Sequence, residues 1–299
     1  MTDRSHLLTE LRLAESMNLD SMSIEQAVDL MNAQDRKALE AVETQRDPIA
    51  SAIKLVVVAL RNGGRLLYFG AGTSGRLGVL DAAECPPTFR TDPQMVQGTI
   101  AGGEAAMFRA QEGAEDRPED GAAAVDAKNA GANDVVMGIA AGGTTPYVHG
   151  ALIRGRERGT KTVFLTCVQA TPNEPPVDVV IRPLTGPEVV TGSTRLKAGT
   201  ATKLVLNTIS TIAMVQLGKV YQNLMVDLRA TNSKLQDRSQ RIVATVTGLP
   251  KEKCAELLQQ ADGHVKLAIV MQKCSLSAAE ARGRLEMAGG KLREALQAK

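Results

Sequence analysis

Between residues 65 and 184, short apolar runs alternate with longer stretches of helical character. The runs are RLLYFG (65–70), MVQGTI (95–100), DVVMGIA (134–140), KTVFLTC (161–167) and VDVVIRPL (177–184). Most are separated by helical stretches: GRLGVLDAAE (75–84), RPEDGAAAVDAKNAG (117–131) and PYVHGALIRGRERG (146–159). A run that is apolar throughout fits a strand buried on both faces. Such strands joined through helices make parallel βαβ units. The alternation predicts an α/β fold, a parallel sheet flanked by helices.

Helices are expected on both sides of this region. SMSIEQAVDLMNAQDRKALEAVETQ places apolar residues near helical spacing. Asp47-Pro48 has the form of an N-cap followed by proline at the first helical position, with a stop at Gly63-Gly64. A long helix is expected in 194–218. From about residue 240 the pattern becomes short helices: Leu249-Pro250 opens one, Ser277 to Glu280 reads as a capping box, and Gly289-Gly290 precedes the last. The expected domains are 1–239, with the sheet, and 240–299, small and all-helical.

Composition excludes several function classes. With 43% apolar and 23% charged residues, the 299-residue chain has the balance of a globular protein. No apolar run reaches the roughly 18 residues that span a bilayer. The N-terminus, MTDRSHLLTELR, has early acids and no apolar core of a signal peptide, so a cytoplasmic location and no membrane partner are expected. A net charge of +2 and 2% aromatic residues argue against nucleic acid as partner. Four cysteines without a C-x-x-C pair and three scattered histidines do not make a zinc site.

Three loops carry candidate binding chemistry. Gly70-Ala71-Gly72-Thr73-Ser74-Gly75-Arg76 follows a strand and opens a helix, where free amides and the Thr73 and Ser74 hydroxyls favour an anion. It lacks the nucleotide P-loop pattern and the third glycine of a dinucleotide fingerprint. Ala141-Gly142-Gly143-Thr144-Thr145-Pro146 follows another strand, so the two loops belong to the same edge of a parallel sheet. The third runs from Glu188 through Ser193, Thr194, Arg195 and Lys197. The bland alternative for the first two is a plain turn. For the third it is Ser193 or Thr194 as a helix N-cap.

Acids form a fourth group. Glu112, Glu115, Asp116, Glu119 and Asp120 surround the opening of a helix, where acids ordinarily complement the dipole or face solvent. Glu84 stands just before Cys85-Pro86-Pro87, at the expected end of a helix. A carboxylate is electrostatically disfavoured there, which suits an acid–base task. The residue pattern leaves both readings of Glu84 open. His149 and His264 lie outside any triad register, and His149 reads as packed or solvent-facing.

At greater length these segments resemble a known family. YFGAGTSGRLGVLDAAECPPTF (68–89), VQGTIAGGEAAMFRAQEGAEDRPEDG (96–121) and GPEVVTGSTRLKAGTATKLVLNTIST (186–211) are similar to motifs of the N-acetylmuramic acid 6-phosphate etherases, built on the sugar-isomerase (SIS) fold. The resemblance covers nearly the whole chain after about residue 8. It implies a flavodoxin-like three-layer SIS domain and a ubiquitin-associated-like helical tail. It also implies cleavage of the lactyl ether of N-acetylmuramate 6-phosphate without a metal or organic cofactor. By motif, Glu84 corresponds to the acid–base residue assisting lactate departure and Glu115 to the second active-site residue. Gly72, Thr73, Ser74, Thr144, Thr145, Ser193 and Thr194 would bind the phosphosugar, with Glu188 near the sugar. At least a homodimer with shared active sites is implied.

One departure stands out. The family's second loop usually reads A-S-G-R-T-P-Y, whereas this chain has Ala141-Gly142-Gly143-Thr144-Thr145-Pro146-Tyr147. A hydroxyl and a cation are missing, and Thr144 and Thr145 are the available replacements. Two other functions use the same loops: an aldose–ketose phosphosugar isomerase, and a non-catalytic phosphosugar sensor.

Overall fold

The computed structural model describes residues 5–228 and 233–297. The first four residues of the leader-peptide reading lie outside this range. Two compact units emerge: Met1–Ala83 with Gln94–Ser210, and Glu84–Pro93 with Thr211–Lys299.

The first unit begins with short 3-10 turns, including Leu8–Glu10, and then two long helices. Helix α1 (Ile24–Glu43) is capped by Ser23, whose side chain accepts from the Gln26 amide while Gln26 reaches back. Helix α2 (Arg46–Arg61) starts earlier than the proline pattern predicts. Asp47 lies in its first turn and is not the N-cap. Pro48 is third in the helix, where an amide would have no intrahelical acceptor, so the ring costs no hydrogen bond.

Five strands follow: β1 (Leu66–Gly70), β2 (Val96–Ile100), β3 (Val135–Ile139), β4 (Lys161–Leu165) and β5 (Val179–Ile181). Each lies inside its predicted apolar run. The sheet is parallel throughout, in the order β2-β1-β3-β4-β5. Helix α3 (Gly72–Phe89) connects β1 to β2. Helices α4 (Ala105–Phe108) and α5 (Pro118–Ala127) lead to β3, and α6 (Pro146–Glu157) leads to β4. Residues 166–178 reach β5 without a helix. Every residue of β1 and β3 is buried, as parallel strands covered on both faces require. Leu67, Phe69, Val136 and Phe164 pack with Val125, Val148 and Leu152 of α5 and α6. The order reverses between β1 and β3, the topological switch point where ligands of open α/β sheets bind.

Helix α7 (Lys197–Gln216) ends the first unit and enters the second. The second unit contains α8 (Ser233–Thr247), α9 (Lys251–Gln260), α10 (Val265–Cys274), α11 (Ala278–Met287) and α12 (Leu292–Gln297). They close on Val226, Leu228, Val243, Cys254, Ile269 and Leu292. The capping box at Ser277 and Glu280 forms as predicted. No helix among the described residues is long and apolar enough to cross a membrane.

Candidate functional site

The first loop turns tightly from β1 into α3. A Cβ on Gly75 would sit 2.7 Å from the Gly70 carbonyl oxygen and 2.6 Å from Ile100 Cγ1, so only glycine fits. Gly72 has φ +51°, the left-handed region. Thr73 and Ser74 then occupy the first helical turn, half-buried, where backbone amides lack intrahelical acceptors.

Beside this turn lies a cavity of about 360 Å³ whose lining includes Ala71, Gly72, Arg76, Ala101, Glu112 and Glu115. It opens where β1 and β2 end, since Ala71 and Ala101 directly follow those strands. Glu115 projects from a 3-10 turn, Ala114–Asp116, entered through left-handed Gly113. Arg76 organises the wall. Its Nε donates to the Met107 carbonyl at 2.9 Å and its Nη2 to that of Ala106 at 2.7 Å. One guanidinium thus ties the helix bearing Thr73 and Ser74 to α4, which precedes the turn bearing Glu115. The motif alone gives Arg76 no role, although it is the last residue of the loop.

The second and third loops converge through a residue no motif singled out. Thr9 is fully buried; its carbonyl accepts from the Gly192 amide at 3.2 Å. A Cβ on Gly142 would lie 3.9 Å from the Thr9 hydroxyl. The turn at Leu8–Glu10 therefore touches both loops. His149 supports the second loop from below. Its Nε2 lies 2.8 Å from the Gly143 carbonyl, which can only accept, so that nitrogen carries the proton. The ring meets Phe164 edge-on, with centroids 5.9 Å apart. His149 is thus a packed residue, as expected. Thr73 reaches the third loop's side: a Cβ on Gly199 would be 3.5 Å from Thr73 Cγ2 and 3.4 Å from the Thr194 carbonyl oxygen.

Glu188 is fully buried. Its two carboxylate oxygens accept from the Lys197 and Ala198 amides, each at 3.0 Å, at the start of α7. Burial raises its pKa, and these amides and Lys197 oppose the shift. Lys197 is equally enclosed; its Nζ donates to Gln34 Oε1 at 2.7 Å, and burial lowers its pKa against the pull of Glu188. Because Glu188 caps the helix from nine residues upstream, neither Ser193 nor Thr194 does so. Among the described residues, the hydroxyls of Thr73, Ser74, Thr144, Thr145, Ser193 and Thr194 make no hydrogen bond. All six are half-buried and available to a ligand.

Glu84 is exposed on α3. The helix does not stop at Cys85 but runs on through Pro86 and Pro87 to Phe89. Prolines at these positions leave the Ala82 and Ala83 carbonyls without their usual amide donors, in the turn that holds Glu84. Nearby Asp81 is structural: its oxygens accept from Tyr68 Oη at 2.9 Å, Asn207 Nδ2 at 2.7 Å and Ser210 Oγ at 3.0 Å. Cys167 offers no nucleophile, because burial, reinforced by Glu188, pushes its thiol up to about 12.

A protein named N-acetylmuramic acid 6-phosphate etherase from Synechocystis sp. is 53% identical across 100% of this chain and 98% of its own length. One of the same name from Microcystis aeruginosa is 54% identical across 99% of this chain and 96% of its own. This chain belongs to the N-acetylmuramic acid 6-phosphate etherase family. The family model of the glucokinase regulatory protein N-terminal SIS domain matches residues 48–155, and that of its C-terminal lid domain matches 222–266. A phosphoheptose isomerase structure from Francisella tularensis superposes with a TM-score of 0.47 at 15% identity, over 65% of this chain and 99% of that one.

Membership accounts for the sheet, its flanking helices and the helical C-terminal segment as an SIS fold with a lid-type domain. This chain nevertheless carries Gly142 and Thr144 in its second loop, with the latter half-buried beside left-handed Gly143. Thr145 precedes α6 without capping it through its side chain. The loop thus keeps two hydroxyls where charge and size are reduced.

Proposed function

We propose that this chain is a carbon–oxygen lyase that cleaves the D-lactyl ether of N-acetylmuramic acid 6-phosphate, giving N-acetylglucosamine 6-phosphate and D-lactate. What carries the reading is the set of six uncommitted hydroxyls on three loops, together with free helix-start amides, in a chain of the etherase family. Hydroxyl and amide donors of this kind suit a phosphate monoester. Thr73 and Ser74 would take the phosphate with Ser193 and Thr194, while Thr144 and Thr145 contact the rest of the ligand. Glu188 would act through its cap, holding the 193–194 turn in place.

The chemistry needs only protein acids and bases. Ring opening exposes a C1 aldehyde that acidifies the C2 hydrogen. A base takes this proton, the C3–O bond breaks, and lactate leaves as an acid protonates its oxygen. Water then adds at C3 of the unsaturated aldehyde and a proton returns to C2. Glu84 is assigned to assist lactate departure, and Glu115 shares the proton transfers. We further propose a cytoplasmic homodimer with shared active sites. The exposed apolar residues Ile24, Val28 and Leu39 along α1, 80%, 51% and 49% accessible, supply a face for it.

Lactate release from N-acetylmuramate 6-phosphate tests the assignment. Glu84→Ala should lower the rate by roughly 10²–10⁴-fold, the usual contribution of general acid–base catalysis. Wild-type protein that forms a ketose instead would point to an isomerase. The match to glucokinase regulatory protein domains favours a second reading, a phosphosugar sensor; binding without turnover would support it.

A further inference from the structure

The second compact unit holds a cavity of about 160 Å³, none of whose lining residues belongs to the phosphosugar loops or to the acids assigned to catalysis. Its charged lining is Arg90, Lys266 and Arg282 against a single carboxylate, Asp227. That carboxylate is already engaged, with Lys266 Nζ at 2.6 Å and Lys219 Nζ at 3.3 Å. Lys266 is itself buried, 8% exposed, and also donates to the Gly290 carbonyl at 2.8 Å.

The two arginines lack comparable partners. Among the described residues no carboxylate lies within ion-pair distance of Arg90, and Arg282 meets only the exposed Asp262 at 3.9 Å. Arg90 instead donates through Nη2 to His264 Nε2 at 3.0 Å, so this imidazole is neutral with its proton on Nδ1. Burial holds the His264 pKa down, and the charges of Arg90 and then Arg282 add to that effect against Asp227 and Asp262. Arg90 also adopts φ +51°, a left-handed conformation uncommon for a bulky residue and a mark of local strain. The first residues of α10, Val265, Lys266 and Leu267, complete the wall, and amides of a first helical turn have no intrahelical acceptor.

Two arginines, a histidine and the first residues of α10 therefore line one small cavity whose single carboxylate is already paired with Lys266 and Lys219. We propose that this cavity is a binding site for inorganic phosphate. Phosphate would accept from both guanidiniums and from the imidazole once it is protonated. By the roughly 30 Å³ that a water occupies in the liquid, the cavity has space for one such ion and some water.

The chain has three histidines, His6, His149 and His264. In full-length protein labelled at histidine, NMR resolves His264, assigned through His264→Gln. Adding phosphate at constant ionic strength should shift the His264 signal saturably and raise its titration midpoint. The double variant Arg90→Gln/Arg282→Gln should weaken the response about tenfold or more, as loss of charge-assisted donors does. Unchanged His149 and His6 signals verify that this variant is folded. Thr73→Ala/Ser74→Ala should retain the response, which separates this site from the phosphosugar loops. An equal shift with sodium chloride overturns the proposal. So does unchanged affinity in the arginine variant, or loss of the response in Thr73→Ala/Ser74→Ala.

Discussion

Asp134 shows how a carboxylate's state follows from its neighbours. Burial alone would raise its pKa. Hydrogen bonds from Arg65, the Gly131 amide and the Arg65 amide, with the guanidinium charge, hold it below the usual carboxylate range. Arg65 Nη2 stands 2.7 Å from Oδ2. A depressed folded pKa means that the unfolded chain binds more protons in that window. Stability is present above the ordinary carboxylate pKa and is lost as pH falls through the folded one. Urea unfolding between pH 5 and 2.5 should therefore show a steeper acid loss in wild type than in Asp134→Asn, and equal slopes would contradict this. Thr73 and Ser74 face a different test. Removing both hydroxyls costs hydrogen bonds to a charged phosphate, about 1.5–3 kcal/mol each. In lactate-release kinetics Thr73→Ala/Ser74→Ala should raise KM by tenfold or more and change kcat less.

At the scale of elements, the cap on α7 is the clearest long-distance device. Glu188 holds the first two amides of the helix from outside it, so Glu188→Gln should destabilise the protein by about 1–3 kcal/mol in urea unfolding, because a buried acceptor and the charge facing Lys197 are lost. An unchanged midpoint would show that the cap contributes nothing. The strands were legible because a parallel sheet buries both faces and writes itself as continuous apolar runs, and the Ser277 box because capping is local. Other contacts were not legible. Nothing near Thr9 or Gly192 announces their pairing across the chain, and Glu188 lies outside the helix it caps. The Pro86-Pro87 pair reads as a stop by local rules, yet α3 continues through it. Of the site, the hydroxyl loops and Glu115's neighbourhood were readable as motifs. Arg76's role depends on carbonyls thirty residues away.

For the whole molecule, the order β2-β1-β3-β4-β5 brings the first two hydroxyl loops to the carboxyl ends of β1 and β3, on either side of the switch point. The exposed α1 face gives a molecule-scale prediction. Ile24→Glu/Val28→Glu should convert a dimer to a monomer in sedimentation, and a wild-type monomer would contradict the proposed assembly. The most direct test of the etherase account is a single reaction in deuterated water with N-acetylmuramate 6-phosphate, followed by NMR. Elimination and hydration predict equimolar D-lactate and N-acetylglucosamine 6-phosphate with deuterium at C2, with lactate release slowed roughly 10²–10⁴-fold in Glu84→Ala. Bound substrate that neither exchanges its C2 hydrogen nor releases lactate would contradict it.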